Sequence, residues 1–237
     1  MRYLSTLDKK FIKNLLNGKE DPVVVEVGSH YGEDTREFLD EFEQIKIFCF
    51  EPDPRNIQII KKYLDTTRIN FYECAVSDQD KEGVDFYMAT KAPPKDVPKK
   101  YQWISREDYH NLNLNRSGAS SLKSGHQALD EGLKTKVRTI KLDTWASDND
   151  IDFVDFIWID VQGAEKEVLK GATEVLKNTK YLYMEYGEMG YNDSMSLEQT
   201  IELLKSNGFD IQKVFRQGDK GDILAVNSKL IGEGDLQ

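Results

Sequence analysis

The sequence predicts a doubly wound α/β fold on three observations. Val23-Val24-Val25-Glu26-Val27 is a β-branched run too short for a buried helix, and it leads into the glycine-bounded turn Gly28-Ser29-His30-Tyr31-Gly32 with a helix-like pattern from Glu33. A second strand, turn and helix pattern follows from Ile45 to Leu64. In the second half, the apolar run Phe153 to Asp160 breaks at Gly163 and gives way to helix-spaced apolar residues. In such sheets ligands bind beyond the carboxyl ends of the strands, where glycine lets the backbone approach closely and helix amides point at the ligand.

Leu7, Phe11, Ile12, Leu15 and Leu16 fall at helical spacing between a cap at Thr6 and a stop at Gly18, so an opening helix is expected. Val23 to Val27 is the first strand, and Phe38, Leu39 and Phe42 form the stripe of a crossover helix over residues 34–42. The strand Ile45 to Phe50 precedes Asp53-Pro54, a cap and a first-turn proline for a helix with Ile57, Ile60 and Leu64 inside. Ile69 to Tyr72 is a third strand, expected to continue into Cys74-Ala75-Val76-Ser77-Asp78, and Val84 to Met88 could add another. Pro93, Pro94 and Pro98 with little periodicity predict an irregular insertion or lid at about 90–135 within one domain spanning 1–237. Val137 to Leu142 resumes as a strand, and Asp143 is placed to cap a short helix. Val168, Leu169, Ala172, Val175 and Leu176 give one helix face, and Tyr181 to Tyr186 a strand. Ser196-Leu197-Glu198-Gln199 fits a capping box, and Phe209 to Phe215 with Asp222 to Val226 a terminal hairpin.

The net charge of −10 argues against nucleic acid as a partner. No apolar run reaches membrane-spanning length, so no membrane insertion is expected, and the charged N-terminus lacks a secretory core, which points to the cytoplasm. Cys49 and Cys74 are expected as buried free thiols, because no CxxC or Cys/His cluster exists. From Lys91 to Arg138, ten Lys and Arg stand against five Asp and Glu, so the insertion is locally basic.

Four stretches carry a resemblance: Glu26-Val27-Gly28-Ser29-His30-Tyr31-Gly32, Phe50-Glu51-Pro52-Asp53, Ser117-Gly118-Ala119-Ser120-Ser121-Leu122, and Ile159-Asp160-Val161-Gln162-Gly163-Ala164-Glu165. In this order they resemble the FkbM family of class I S-adenosylmethionine-dependent methyltransferases, over about Val23 to Val226. The resemblance implies a Rossmann-like, doubly wound seven-stranded sheet in three α/β/α layers, mostly parallel with an antiparallel last strand. It also implies S-adenosylmethionine as cofactor and methyl transfer to hydroxyls of sugars or secondary metabolites. Two positions depart from the family pattern: His30 stands where Asn is usual, and Gln162 where Glu is usual.

The residues themselves narrow the chemistry. His30 and Glu33 occupy the second and third glycine positions of a GxGxxG loop, which disfavours a nicotinamide dinucleotide. Under the resemblance, Glu26 would accept from the cofactor's ammonium directly or through water, beside Gly28, Ser29, Gly32 and Thr35. Glu51 with Pro52 would take the ribose hydroxyls, and Ala75, Val76 and Ser77 would bracket the adenine. Asp160, followed by Val161, ends the core strand where donor and acceptor should meet. Asp160 or His30 would accept the proton that an alcohol nucleophile must lose. Tyr101, Trp103 and Tyr109 could stack on the acceptor, with Ser120, Ser121, Gln162, Glu185 and Glu188 as its polar contacts. Asp160, Glu185 and Glu188 could also surround a divalent metal. The expectation is an O-methyltransferase acting on a sugar, glycan or nucleotide-sugar acceptor. The alternatives are methylation of a non-sugar secondary metabolite, and a non-catalytic cofactor-binding or partner-supporting subunit.

Overall fold

A computed structural model describes residues 14–231 except 17, 91–95 and 188–189. Along the chain, β1 (Val23–Val27), α1 (Glu33–Glu41), β2 (Lys46–Phe50), α2 (Pro54–Tyr63) and β3 (Asn70–Tyr72) build a parallel half-sheet. Next come β4 (Ala75–Val76), β5 (Lys81–Ala89), α3 (Arg106–Asn111), β6 (Leu129–Ile140) and α4 (Leu142–Asp148). The second half runs β7 (Val154–Ile159), α5 (Glu165–Lys170), α6 (Thr173–Lys177), β8 (Thr179–Gly187), α7 (Leu197–Ser206), β9 (Phe209–Gln217) and β10 (Lys220–Asn227).

The main sheet has seven strands in the order β3-β2-β1-β7-β8-β10-β9, and β10 is antiparallel to both neighbours. The expected fold class is therefore present. Side chains alternate along the central strands and split into two cores. Val25, Val27, Ile157 and Ile159 face one layer, while Val24, Phe156 and Trp158 face the other. Each fully buried aliphatic or aromatic side chain contributes about 1.5–3 kcal/mol, so both faces must be covered by helices. The strand order reverses between β1 and β7.

Several expectations change in detail. Asp53 caps α2 through Arg55 N at 2.9 Å with Pro54 in the first turn, and Ser196 with Gln199 forms the capping box of α7, both as read from the sequence. The third strand does not continue: β3 ends at Tyr72, and Ala75-Val76 pairs instead with β6 in a second sheet, β4-β6-β5. The long helix expected over residues 168–176 is two short ones. Gly171 lies between them because its backbone passes Ser77, whose carbonyl oxygen would stand 2.0 Å from any Cβ. Asp143 lies inside α4 and caps α6, accepting from Glu174 N and Val175 N at 2.9 Å each. The insertion is less irregular than its prolines suggest, since it holds α3, a 3-10 turn over Leu114–Ala119, and the first half of β6. Leu7, Phe11 and Ile12 of the expected opening helix lie outside the described residues. Among the described residues, no helix is long and apolar enough to cross a membrane.

Candidate active site

The loop after β1 is shaped by a close crossing. Asp160 N donates to Val27 O at 2.9 Å, and this brings the Asp160 carbonyl so near Gly28 that a Cβ there would lie 2.0 Å from it. Gly28 also has φ +91°, so glycine is required twice over. The amides of the loop are spent inside the protein. Gly28 N and Ser29 N both donate to Phe50 O, Gly32 N donates to Ser29 O, His30 N to Glu51 and Tyr31 N to Glu33. The loop therefore does not offer the array of amides that a pyrophosphate needs, which agrees with the missing glycines.

Beyond this loop lies a cavity of about 630 Å³. Gly28, Ser29, His30, Glu51, Pro52, Ala75, Val76, Asp160, Val161, Gln162, Tyr101, Tyr109, Ser120 and Glu185 all line it. The fold thus gathers the strand ends that the sequence singled out. Glu26, Gly32, Thr35, Ser77, Trp103 and Ser121 do not line it, and Glu188 lies outside the described residues.

Glu26 and Thr35 lie behind the cavity wall. Glu26 alternates with Val25 and Val27, so its side chain turns behind the loop, 1% exposed, against the Thr35 hydroxyl and the Cys49 thiol. Burial, helped by Asp34, pushes its carboxyl up to about 8. From there it supports the loop and α1, and does not line the cavity. Gly32, at φ +78°, packs on Leu64, and Ser77 joins its amide to Ile140 O. Ser121 donates to Gln162 O at 2.7 Å, and Trp103 stacks under Arg36, away from the cavity.

Glu51 is held open toward the cavity by its own neighbours. It accepts from His30 N and Asp53 N at 2.8 Å each, and from Asn56 Nδ2 at 3.2 Å. Burial and the nearby Asp53 push its pKa up to about 7. Asn56 Oδ1, also buried beside the cavity, has no hydrogen-bond partner among the described residues. His30 is tied at both ring nitrogens, to Glu33 at 2.9 Å and to Ser117 Oγ at 3.2 Å. Burial opposes its charge, yet Glu33 and Glu51 outweigh that and raise its pKa. Burial likewise works against the Glu33 carboxylate, but the His30 ring holds it down at about 2.

Across the cavity, Asp160 is open to solvent, and its Oδ1 accepts from Gln162 Nε2 at 2.5 Å. The same amide donates to Glu185 Oε2 at 2.8 Å. Burial raises the Glu185 carboxyl, and the facing Asp160 charge adds to it, so that it reaches about 10. Among the described residues, no group of three His, Cys, Asp or Glu is arranged to hold a metal.

The insertion closes the remaining side. Tyr31 OH donates to Leu114 O at 2.5 Å and meets Ser117 Oγ at 2.7 Å, and Tyr31, Ile59, Tyr101, Tyr109 and Leu114 form one apolar cluster. Tyr101 donates to Glu33, so Tyr101 and Tyr109 reach the cavity as edges of a packed cluster rather than as free stacking platforms. Arg55 was not singled out in the sequence, yet it locks the insertion to α2. Buried against Asp53, it donates to Ala89 O, Asn113 O and Ser120 Oγ at 3.1, 3.2 and 3.0 Å. Arg116 and Lys220, which also line the cavity, likewise gave no local sequence signal.

Residues 26–211 match the Methyltransferase FkbM domain. The chain belongs to the FkbM methyltransferase family. It is also 30% identical over 227 residues to the 2-O-methyltransferase NoeI of Sinorhizobium fredii, covering 90% of this chain and 82% of that protein. Among solved structures, it is similar to the fibrillarin pre-rRNA processing protein of Methanococcus jannaschii. That likeness has TM-score 0.48 and 14% identity, over 94% of this chain and 74% of that one. Another similar structure is Aeropyrum pernix fibrillarin with natively bound S-adenosyl-L-methionine, at TM-score 0.45 and 16% identity over 94% and 75%. At these scores neither structural likeness bears on function.

For an FkbM methyltransferase the residues present fit a methyl donor of the S-adenosylmethionine type. Such a cofactor is net positive and rich in hydroxyl and amine donors. The cavity answers with seven Asp and Glu, of which Glu185 keeps its proton at neutral pH, against three Lys and Arg, and with the unpartnered Asn56 Oδ1. A buried acceptor without a partner costs about 1–3 kcal/mol, which a donor on the ligand would recover.

Proposed function

We propose that this protein is an S-adenosylmethionine-dependent O-methyltransferase that acts on a hydroxyl of a sugar, glycan or nucleotide sugar. The observation that supports it most is Asp160, a carboxylate aimed into the cavity from the switch point, opposite Glu51 and beside the Gly28 loop. In this reading Gly28, Ser29, Glu51, Pro52, Ala75 and Val76 contact the cofactor, with Glu51 and Asn56 Oδ1 as acceptors. Tyr101, Ser120 and Glu185 face the acceptor.

Bound S-adenosylmethionine supplies a methyl carbon on a positively charged sulfur, which departs as a neutral thioether. The residues of the chain do the rest. They align the acceptor oxygen with that carbon, and Asp160 takes the hydroxyl proton as the oxygen–carbon bond forms. His30, engaged at both nitrogens and raised in pKa, is poorly placed to compete as base. A hydroxyl acceptor is supported by the relative NoeI, which is a 2-O-methyltransferase. The sugar class is supported by the FkbM resemblance and by the dense polar lining around Asp160.

The test is mass spectrometry of the protein incubated with isotope-labelled S-adenosylmethionine and a panel of free sugars, oligosaccharides and nucleotide sugars. Labelled methyl on a sugar hydroxyl is expected. Transfer only to non-sugar hydroxyls would overturn the acceptor class.

A further inference from the structure

Gln162 stands between two carboxyl groups. Its Nε2 donates to Asp160 Oδ1 at 2.5 Å and to Glu185 Oε2 at 2.8 Å, while its Oε1 lies 3.3 Å from the Tyr191 hydroxyl. Its backbone is held at φ +56°, in the left-handed region that side chains with a Cβ seldom adopt. Ser121 fixes that conformation by donating to the Gln162 carbonyl at 2.7 Å, and Gly163, at φ +96°, packs so closely on Tyr191 that a Cβ would meet its ring. The strained turn therefore serves to aim one side chain.

Two carboxyl groups facing one site repel unless a shared proton or a cation lies between them, and here Glu185, whose carboxyl is pushed up to about 10 by burial and by Asp160, keeps a proton. A carboxamide with one N–H directed at each carboxyl adds fixed geometry, with no charge of its own, in the place a cation would otherwise take. We propose that Gln162 is a positioning residue that takes the place of a divalent cation between Asp160 and Glu185, aiming Asp160 into the cavity without metal. That role rests on Asp160 being the proton acceptor proposed above.

The amide orientation makes the inference testable. If the side chain were turned, its carbonyl would join the two carboxylates as a third oxygen donor, and wild-type protein would itself hold a cation. The experiment is a Mn²⁺ titration of the full chain followed by electron paramagnetic resonance, with wild type, Gln162→Glu and Gln162→Met compared. Thermal melts with and without Mn²⁺ and calorimetric titration with S-adenosylmethionine run in parallel. Gln162→Glu places a third carboxylate in the same volume, so it should bind Mn²⁺ about tenfold or more tightly than wild type and be stabilised by it. Wild type and Gln162→Met should leave the spectrum of the free ion unchanged. Wild type binding Mn²⁺ as tightly as Gln162→Glu, or Gln162→Glu gaining no affinity, would overturn the proposal. Neither metal readout needs cofactor or acceptor, so a failure of the methyltransferase reading would show separately, in the calorimetry.

Discussion

Glu26 shows how far one residue's setting departs from its ordinary chemistry. Folded, it keeps its proton to about pH 8, whereas an unperturbed carboxyl loses it near 4.5. Between those values the folded state binds more protons than the unfolded one. Its contribution to stability is thus complete below about pH 4.5 and is lost as pH rises toward 8, by up to roughly 5 kcal/mol. Gln at this position is always neutral. Ligand-free Glu26→Gln should therefore gain on wild type in urea melts at pH 9 and not at pH 4.5; parallel pH curves for the two proteins would contradict this. Gly28→Ala should be severely destabilised, because a Cβ 2.0 Å from Asp160 O forces β1 and β7 apart. The φ strain alone costs about 1–3 kcal/mol, and a thermal melt reads the loss. Asp160→Asn keeps the size and the cavity position but cannot take a proton. Turnover should fall by about 10²–10⁴-fold with cofactor affinity nearly unchanged, and steady-state kinetics beside calorimetry separates the two.

At the scale of elements, α2 and the insertion act as a pair. Arg55 bonds Ala89, Asn113 and Ser120 from one buried guanidinium, so Arg55→Met leaves Asp53 as an uncompensated buried carboxylate and frees three acceptors. A loss of about 3–5 kcal/mol is expected, with faster amide hydrogen exchange concentrated in residues 114–121. Elements set by local chemistry were legible in the sequence. Asp53-Pro54 announces α2, and Ser196 with Gln199 announces α7, because caps act within one turn. Elements set by distant contacts were not. Gly171, where α5 ends, has no room for a side chain because Ser77 O, far away in sequence, would stand 2.0 Å from its Cβ. The length of β6 depends on pairing with β5, which no local periodicity in residues 129–136 declares.

For the whole molecule, the reversal of strand order between β1 and β7 decides where chemistry can occur, since both loops leave the sheet there in opposite directions. That is why Glu51 and Asp160, singled out in the sequence as acids at strand ends with cofactor and proton-accepting roles, both line one cavity. Strand alternation turns the Glu26 side chain away from Val25 and Val27, behind the loop and off the cavity wall, while Arg55, Arg116 and Lys220 reach the site through tertiary packing alone. The cavity's excess of carboxylates over cations, with its buried Asn56 Oδ1, defines a receptor for a positively charged, donor-rich cofactor. Calorimetric titration of the protein with S-adenosylmethionine and S-adenosylhomocysteine tests this most directly. Saturable one-site binding is expected, weakened about tenfold or more in Glu51→Ala, the loss from removing a charged acceptor. Folded wild-type protein that binds neither ligand would contradict it.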